Sequence, residues 1–178
     1  MRIIVNIEDR EMSSDLVPVI SLWQPWASAI ACGAKRIETR SWRTDYRGPI
    51  LIHAGLKHVD QALWLEVWPY IGGRFHYCNL GEARALVPYG ELIAVAELVD
   101  CVPTGGGRDQ LMAIAQLHDM LESNPQERAL GDFTAGRYGW VLANVRALPV
   151  PIPYTGRQGL FKVPVDILPA EFRPQSSN

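Results

Sequence analysis

The sequence predicts an α+β chain that is mainly β: a small, closed or nearly closed barrel of five or six strands with flanking helices. Three observations carry that expectation. Short apolar or alternating runs recur at residues 16–22, 36–42, 50–54, 91–102, 138–145 and 156–163. The run from Glu91 to Val102 is apolar on both faces apart from Glu97 and Asp100, as a strand covered on two sides requires. Several runs follow one another without a crossover helix, which argues against a doubly wound parallel sheet.

Taken in order, Leu16 to Leu22 reads as the first strand, and Pro25 stands where a first helical residue tolerates proline, its missing N–H having no partner there in any case. The helix it opens, Pro25 to Cys32, is nearly all small or apolar and packs closely on every side. Gly33 supplies its left-handed stop. Arg36 to Trp42 alternates, with Arg36, Glu38, Arg40 and Trp42 on one face and Ile37, Thr39 and Ser41 on the other, so a half-buried strand with a charged face is expected. Arg47-Gly48-Pro49 turns the chain into the apolar run Ile50 to Ala54. Val59, Ala62, Leu63, Val67 and Tyr70 recur at helical spacing and predict a helix over 59–69, whereas 72–88 reads as a loop or a short helix. After the strand at 91–102, Thr104-Gly105-Gly106-Gly107 breaks the pattern and residues 109–121 form a helix. Polar residues from Ser123 to Gly136 predict a mobile excursion, and Tyr138 to Val145 resumes as a strand. Pro149 to Pro153 is extended and belongs at a sheet edge or between strands. Glu97, if buried, needs a partner, and an arginine is the expected one. A single domain over 15–166 follows, with an N-terminal extension at 1–14, a poorly patterned insertion near 104–136 and a tail at 167–178.

At 178 residues, 48% apolar and 20% charged, the chain can bury a core. Its formal charge of −2 excludes coating of nucleic acid by bulk charge, so any polyanion site must be local. Three cysteines (Cys32, Cys78, Cys101) without a paired spacing support neither a disulfide framework nor a four-cysteine zinc site, and a reducing, cytoplasmic setting is expected. No apolar run approaches the roughly 18 residues of a membrane span, and residues 1–15 lack a signal peptide's apolar centre. The histidines do not have zinc-site spacing, and phosphate-loop, deaminase and serine-hydrolase elbow motifs are missing. A mechanism without metal or cofactor is the expectation.

The charge is unevenly spread. Between Trp23 and His58 lie six basic and two acidic residues, a local +4 against −6 elsewhere, and Trp23, Trp26 and Trp42 fall in the same window. Cations interleaved with flat rings suit phosphate binding and base stacking, although tryptophans that anchor a core and cations on a solvated face give the same pattern. Glu38 and Arg40, two strand positions apart, share a face at about 6 to 7 Å. They form a structural ion pair or, if Lys35 reaches the same cleft, part of a charged triad that binds phosphate or moves a proton.

The run from Ile20 to His53 carries Gly33, Lys35, Glu38 and Arg40 as Gly-x-Lys-x-x-Glu-x-Arg, preceded by Gln24-Pro25-Trp26-Ala27 and followed by Arg47-Gly48. This pattern resembles the activating signal cointegrator homology (ASCH) domain family, with a thinner likeness at 91–102, at 138–141 and at Gly159-Leu160-Phe161-Lys162-Val163. The resemblance implies a fold related to the PUA RNA-binding domain, a small barrel with a cleft between barrel and helices. It further implies that Lys35, Glu38 and Arg40 line that cleft, with Trp23, Gln24 and Trp26 at its rim. Members of the family bind RNA or DNA, some cleave RNA, and one branch is an amidohydrolase acting on acetylated cytidine. That branch uses a threonine three residues after the lysine as nucleophile, where this chain has Glu38. A carboxylate does not replace a hydroxyl as acyl acceptor in that mechanism.

Two main readings follow. In the first, RNA, single-stranded DNA or a modified nucleoside is held by Trp23, Gln24, Trp26, Lys35, Arg40, Trp42, Arg43, Arg47 and Arg157. In the second, a metal-independent hydrolase, either a ribonuclease or a nucleoside amidohydrolase, uses Lys35 and Glu38 for proton transfer and Arg40 to stabilise developing charge. A third, a protein interaction domain, rests on the cointegrator likeness and the tryptophan-rich helix.

Overall fold

A computed structural model describes residues 16–74 and 79–174. Cys78, the N-terminal extension at 1–14 and the last four residues of the tail lie outside that range. Six strands form one mixed sheet in the order β2-β5-β4-β3-β1-β6: β1 (Leu16–Leu22), β2 (Ile37–Arg40), β3 (Gly48–Ala54), β4 (Glu91–Pro103), β5 (Tyr138–Pro153) and β6 (Leu160–Pro164). β1 runs parallel to β3, and every other pairing is antiparallel. Among the described residues five α-helices flank the sheet: α1 (Trp26–Ala31), α2 (Gln61–Ile71), α3 (Leu80–Leu86), α4 (Leu111–Glu122) and α5 (Pro125–Ala129). The mainly-β architecture of six strands with flanking helices is the expected one. The barrel is not hydrogen-bonded shut, since among the described residues no ladder joins its edge strands β2 and β6. Among those residues no helix is long and apolar enough to cross a membrane.

Alternation along the central strands feeds two cores. Ile20 and Leu22 of β1, Ile50 and Ile52 of β3, and Trp140 and Leu142 of β5 pack with Ile30 of α1, whereas Val19, Leu51, Leu92, Leu148 and Val163 pack on the opposite face. A sheet covered on both faces explains why these strands lack polar residues at every second place. Leu168, at the start of the region read as a tail over 167–178, packs into the second core. α1 closes against α2 and α3 through Ala29, Trp64, Val67 and Ala83, and Gly33, at φ +74°, ends α1 in the left-handed conformation expected of it. Asp60 and Asn79 cap α2 and α3 by accepting the backbone N–H of Leu63 and Glu82.

Three expectations change. Residues 123–136 are not an open excursion: Asn124 caps α5 by accepting the Glu127 N–H, Pro125 occupies its first turn, and the helix packs beside β2. Tyr138–Val145 and Pro149–Pro153 are one 16-residue strand rather than two pieces. Its prolines lie where only β4 is a neighbour, because β2 pairs only with 138–141, so their missing donors cost no second ladder. Glu97 is exposed and accepts from Asn144 Nδ2 at 2.9 Å instead of meeting an arginine. Glu97 alternates with the buried Ala96 and Leu98, so its side chain lies on the outer side of the strand at that point.

Candidate functional site

The short strand β2 is held at its start by a carboxylate ninety residues away. Glu127, 2% exposed, accepts the N–H of Arg36 at 2.8 Å and of Ile37 at 2.7 Å through its two oxygens. Gln126 Nε2 donates to the Ala34 carbonyl at 2.6 Å, and Thr39 Oγ1 accepts the Asp132 N–H at 3.2 Å. Both faces of β2 are therefore covered, in place of the single charged open face that alternation suggests.

Three charged side chains meet on this strand. The Lys35 side chain is 1% exposed, with its ammonium donating to the Ile37 carbonyl and standing 3.7 Å from Glu38 Oε2. Glu38 Oε1 lies 3.8 Å from Arg40 Nη1, while Arg40 Nη2 donates to the Ser21 carbonyl at 3.0 Å. A buried ammonium depends on its counter-ion, because leaving it unpaired in low dielectric is strongly unfavourable. Lys35 thus contacts Glu38 of the motif without facing solvent.

Two hollows open on either side of this network. The first, about 280 Å³, is lined by Trp26, Glu38 and Thr39 together with Glu66, Val67 and residues 129–132. Its charged lining is entirely acidic: Glu38, Glu66 and Asp132. The second, about 550 Å³, is lined by Ser21, Trp23, Arg40, Trp42, His53, Lys57 and residues 155–159, including Arg157. Its charged lining is entirely basic: Arg40, Lys57 and Arg157. A further groove of about 660 Å³, with Tyr89 and Tyr154 in its walls, adjoins it across Leu56, Thr155 and Arg157.

Of the residues singled out from the sequence, Trp23, Arg40, Trp42 and Arg157 gather in the basic hollow, and Trp26 and Glu38 line the acidic one. Gln24, Lys35, Arg43 and Arg47 line neither. Gln24 is fully buried, donating to the Pro88 carbonyl at 2.8 Å and accepting the Ser28 N–H at 3.1 Å, so it ties α1 to the turn before β4. Arg43 pairs with Asp45 at 2.6 Å, and Arg47 pairs with Asp100 at 3.0 Å.

The rings of the basic hollow differ in freedom. Trp23 is 47% exposed, with the Lys57 ammonium 3.6 Å from its ring centroid. Trp42 stands edge-on to the buried Trp140 at 4.6 Å and accepts from its indole N–H through its backbone carbonyl, which fixes the ring at the wall.

Sequence reasoning missed Ser21, His53 and Lys57 as site residues. Lys57 was visible in the basic window. Ser21 and His53 were not, because they become neighbours only through the parallel register of β1 and β3, which sets them directly opposite each other. The imidazole Nδ1 lies 3.0 Å from Ser21 Oγ and Nε2 lies 3.0 Å from the Tyr154 carbonyl. A carbonyl only accepts, so the proton sits on Nε2. Burial pushes the imidazole pKa below its ordinary value, partly offset by the Tyr154 carbonyl, and Nδ1 is left bare to accept the serine hydroxyl.

Comparison with known proteins agrees with the motif. A model of the ASCH domain matches residues 20–151. Over 129 residues the chain is 31% identical to activating signal cointegrator 1 of Homo sapiens and of Mus musculus, a match covering 69% of this chain and 22% of each relative. The matched region is thus a small part of those longer proteins. The crystal structure of ASCH from Zymomonas mobilis aligns with a TM-score of 0.46 at 18% identity, covering 84% of this chain and 89% of that one.

Proposed function

From the premise that the chain belongs to the ASCH domain family, we propose that it binds single-stranded nucleic acid, RNA first among them, in the basic hollow beside β2. One observation carries this reading: Trp23 and Trp42 share a concavity with Arg40, Lys57 and Arg157 in which no carboxylate takes part. A base stacks on the exposed indole of Trp23 while the guanidinium and ammonium groups take the phosphates, a combination that tolerates any base sequence. The groove past Leu56 and Arg157 offers the strand a continuation along Tyr89 and Tyr154. Trp26, Gln24, Arg43 and Arg47 have no part in this contact. Hydrolysis through Lys35 is not carried forward, because an ammonium closed off from solvent and engaged by Ile37 and Glu38 cannot touch a substrate.

The test is a titration of fluorescent single-stranded RNA at several salt concentrations. Affinity should fall steeply with salt, and Arg157→Gln should lower the magnitude of the logarithmic slope by about 0.7, the increment for one phosphate contact on a single strand. Binding that is absent at every salt concentration, or a slope unmoved by Arg157→Gln and by Lys57→Gln alike, would overturn the reading.

A further inference from the structure

The floor of the basic hollow contains an arrangement that nucleic-acid binding does not need. Ser21 Oγ, half-buried and lining the hollow, lies 3.0 Å from the bare Nδ1 of His53, whose other nitrogen is held by the Tyr154 carbonyl at 3.0 Å. This is a hydroxyl, a base and an orienting acceptor in series. The Arg40 guanidinium donates to the backbone carbonyl of Ser21 itself and lines the same hollow as the serine hydroxyl. Gly156 covers the pair so closely that a methyl group there would come within 2.4 Å of His53 Cε1 and 2.9 Å of Ser21 Oγ. The pair is thus held against a backbone wall that only glycine can form.

We propose that Ser21 is a nucleophile activated by His53, and that the hollow hydrolyses an acyl ester carried by an anionic, ring-bearing molecule of the nucleotide class. Ser21 Oγ bonds to the acyl carbon as its proton passes to His53 Nδ1, and the Tyr154 carbonyl steadies the imidazolium through Nε2–H. Arg40 stabilises the negative charge that develops on the acyl oxygen. The ester C–O bond then breaks, and the departing alcohol takes the proton from Nδ1. Water attacks the acyl-serine with Nδ1 again as base, releasing the carboxylic acid and restoring the serine hydroxyl. The nucleophile stands independently of the binding reading, whereas the substrate class rests on it through Arg40, Lys57, Arg157 and the indoles.

The experiment exposes the purified protein to a fluorophosphonate probe, which phosphonylates activated serines with loss of fluoride whatever their natural substrate, and locates the adduct by peptide mass spectrometry. Ser21 should be labelled in the native protein and not after denaturation in urea. His53→Gln should slow labelling by about 10² to 10⁴, the usual contribution of a positioned general base, with circular dichroism establishing that this variant is folded. No adduct at Ser21 in the native protein, equal labelling of native and denatured chains, or a folded His53→Gln protein that labels at the wild-type rate would each overturn the proposal. Failure of RNA titration with Ser21 still labelled would remove only the substrate class, while RNA binding without labelling would remove the nucleophile alone.

Discussion

The acidic hollow beside α2 and α5 and the basic hollow beside β1 and β3 lie on either side of the same ion network, yet their charged walls are of opposite sign. Glu38 and Arg40, two residues apart on one strand, serve one each. A strand face is therefore not the unit that meets a ligand: position along β2 decides which neighbours surround each ion, and only the end near Trp23 offers a polyanion an attractive field. Phosphate approaching the other end meets Glu38, Glu66 and Asp132. The charged motif residues between the hollows act chiefly as their shared wall, with Lys35 inside it.

The comparison breaks most severely if that wall is removed. Glu38→Ala leaves the Lys35 ammonium buried without its carboxylate, and an unfolding midpoint in urea should report a loss of about 3–5 kcal/mol. The double variant Lys35→Met with Glu38→Ala should lose less than the single one, because no stranded charge remains. A single variant as stable as wild type would show that the pair does not divide the hollows. Glu127→Ala acts on the same wall by leaving two backbone N–H groups unpaired, at about 1–3 kcal/mol each.

Ligand titration sharpens the contrast at a smaller scale. Trp23→Ala should cost about 1–3 kcal/mol of single-stranded RNA affinity, the range for one stacked base. Glu66→Gln, at the other opening, should leave affinity unchanged or slightly raised. Equal losses from the two variants would merge the hollows into one site.

The smallest effect concerns pH. Burial holds His53 below its ordinary pKa of 6.5, so the stability contributed by its neutral form is complete above about pH 6.5 and is lost as pH falls toward the depressed value. His53→Gln should flatten that decline in urea unfolding compared between about pH 7.5 and about pH 5. Parallel curves for variant and wild type would count against a buried neutral imidazole on the basic side.

Much of the fold was legible because its signals are local. The strand from Glu91, the proline-led helix α1, the Gly33 stop and the helix α2 follow from spacing and from backbone restrictions that a few residues impose. The gathering of Trp23, Trp42 and Arg40 was also in view, since all three fall within one short window. The excursion after Ser123 was misread for the opposite reason. Its polar composition looks like solvent-exposed chain, and nothing local says that the Glu127 carboxylate will be buried against the amides of Arg36 and Ile37.

The amino-acid order by itself determined the family, the strand and helix content and the concentration of cations among tryptophans, because these depend on the chemistry of neighbouring residues. The tertiary structure alone decided that Lys35 faces inward, that Glu38 and Arg40 open to different hollows, and that Ser21 meets His53. Those outcomes depend on strand register and on contacts across 32 to 91 residues, and an alternating pattern states which side chains share a face without stating what will cover it.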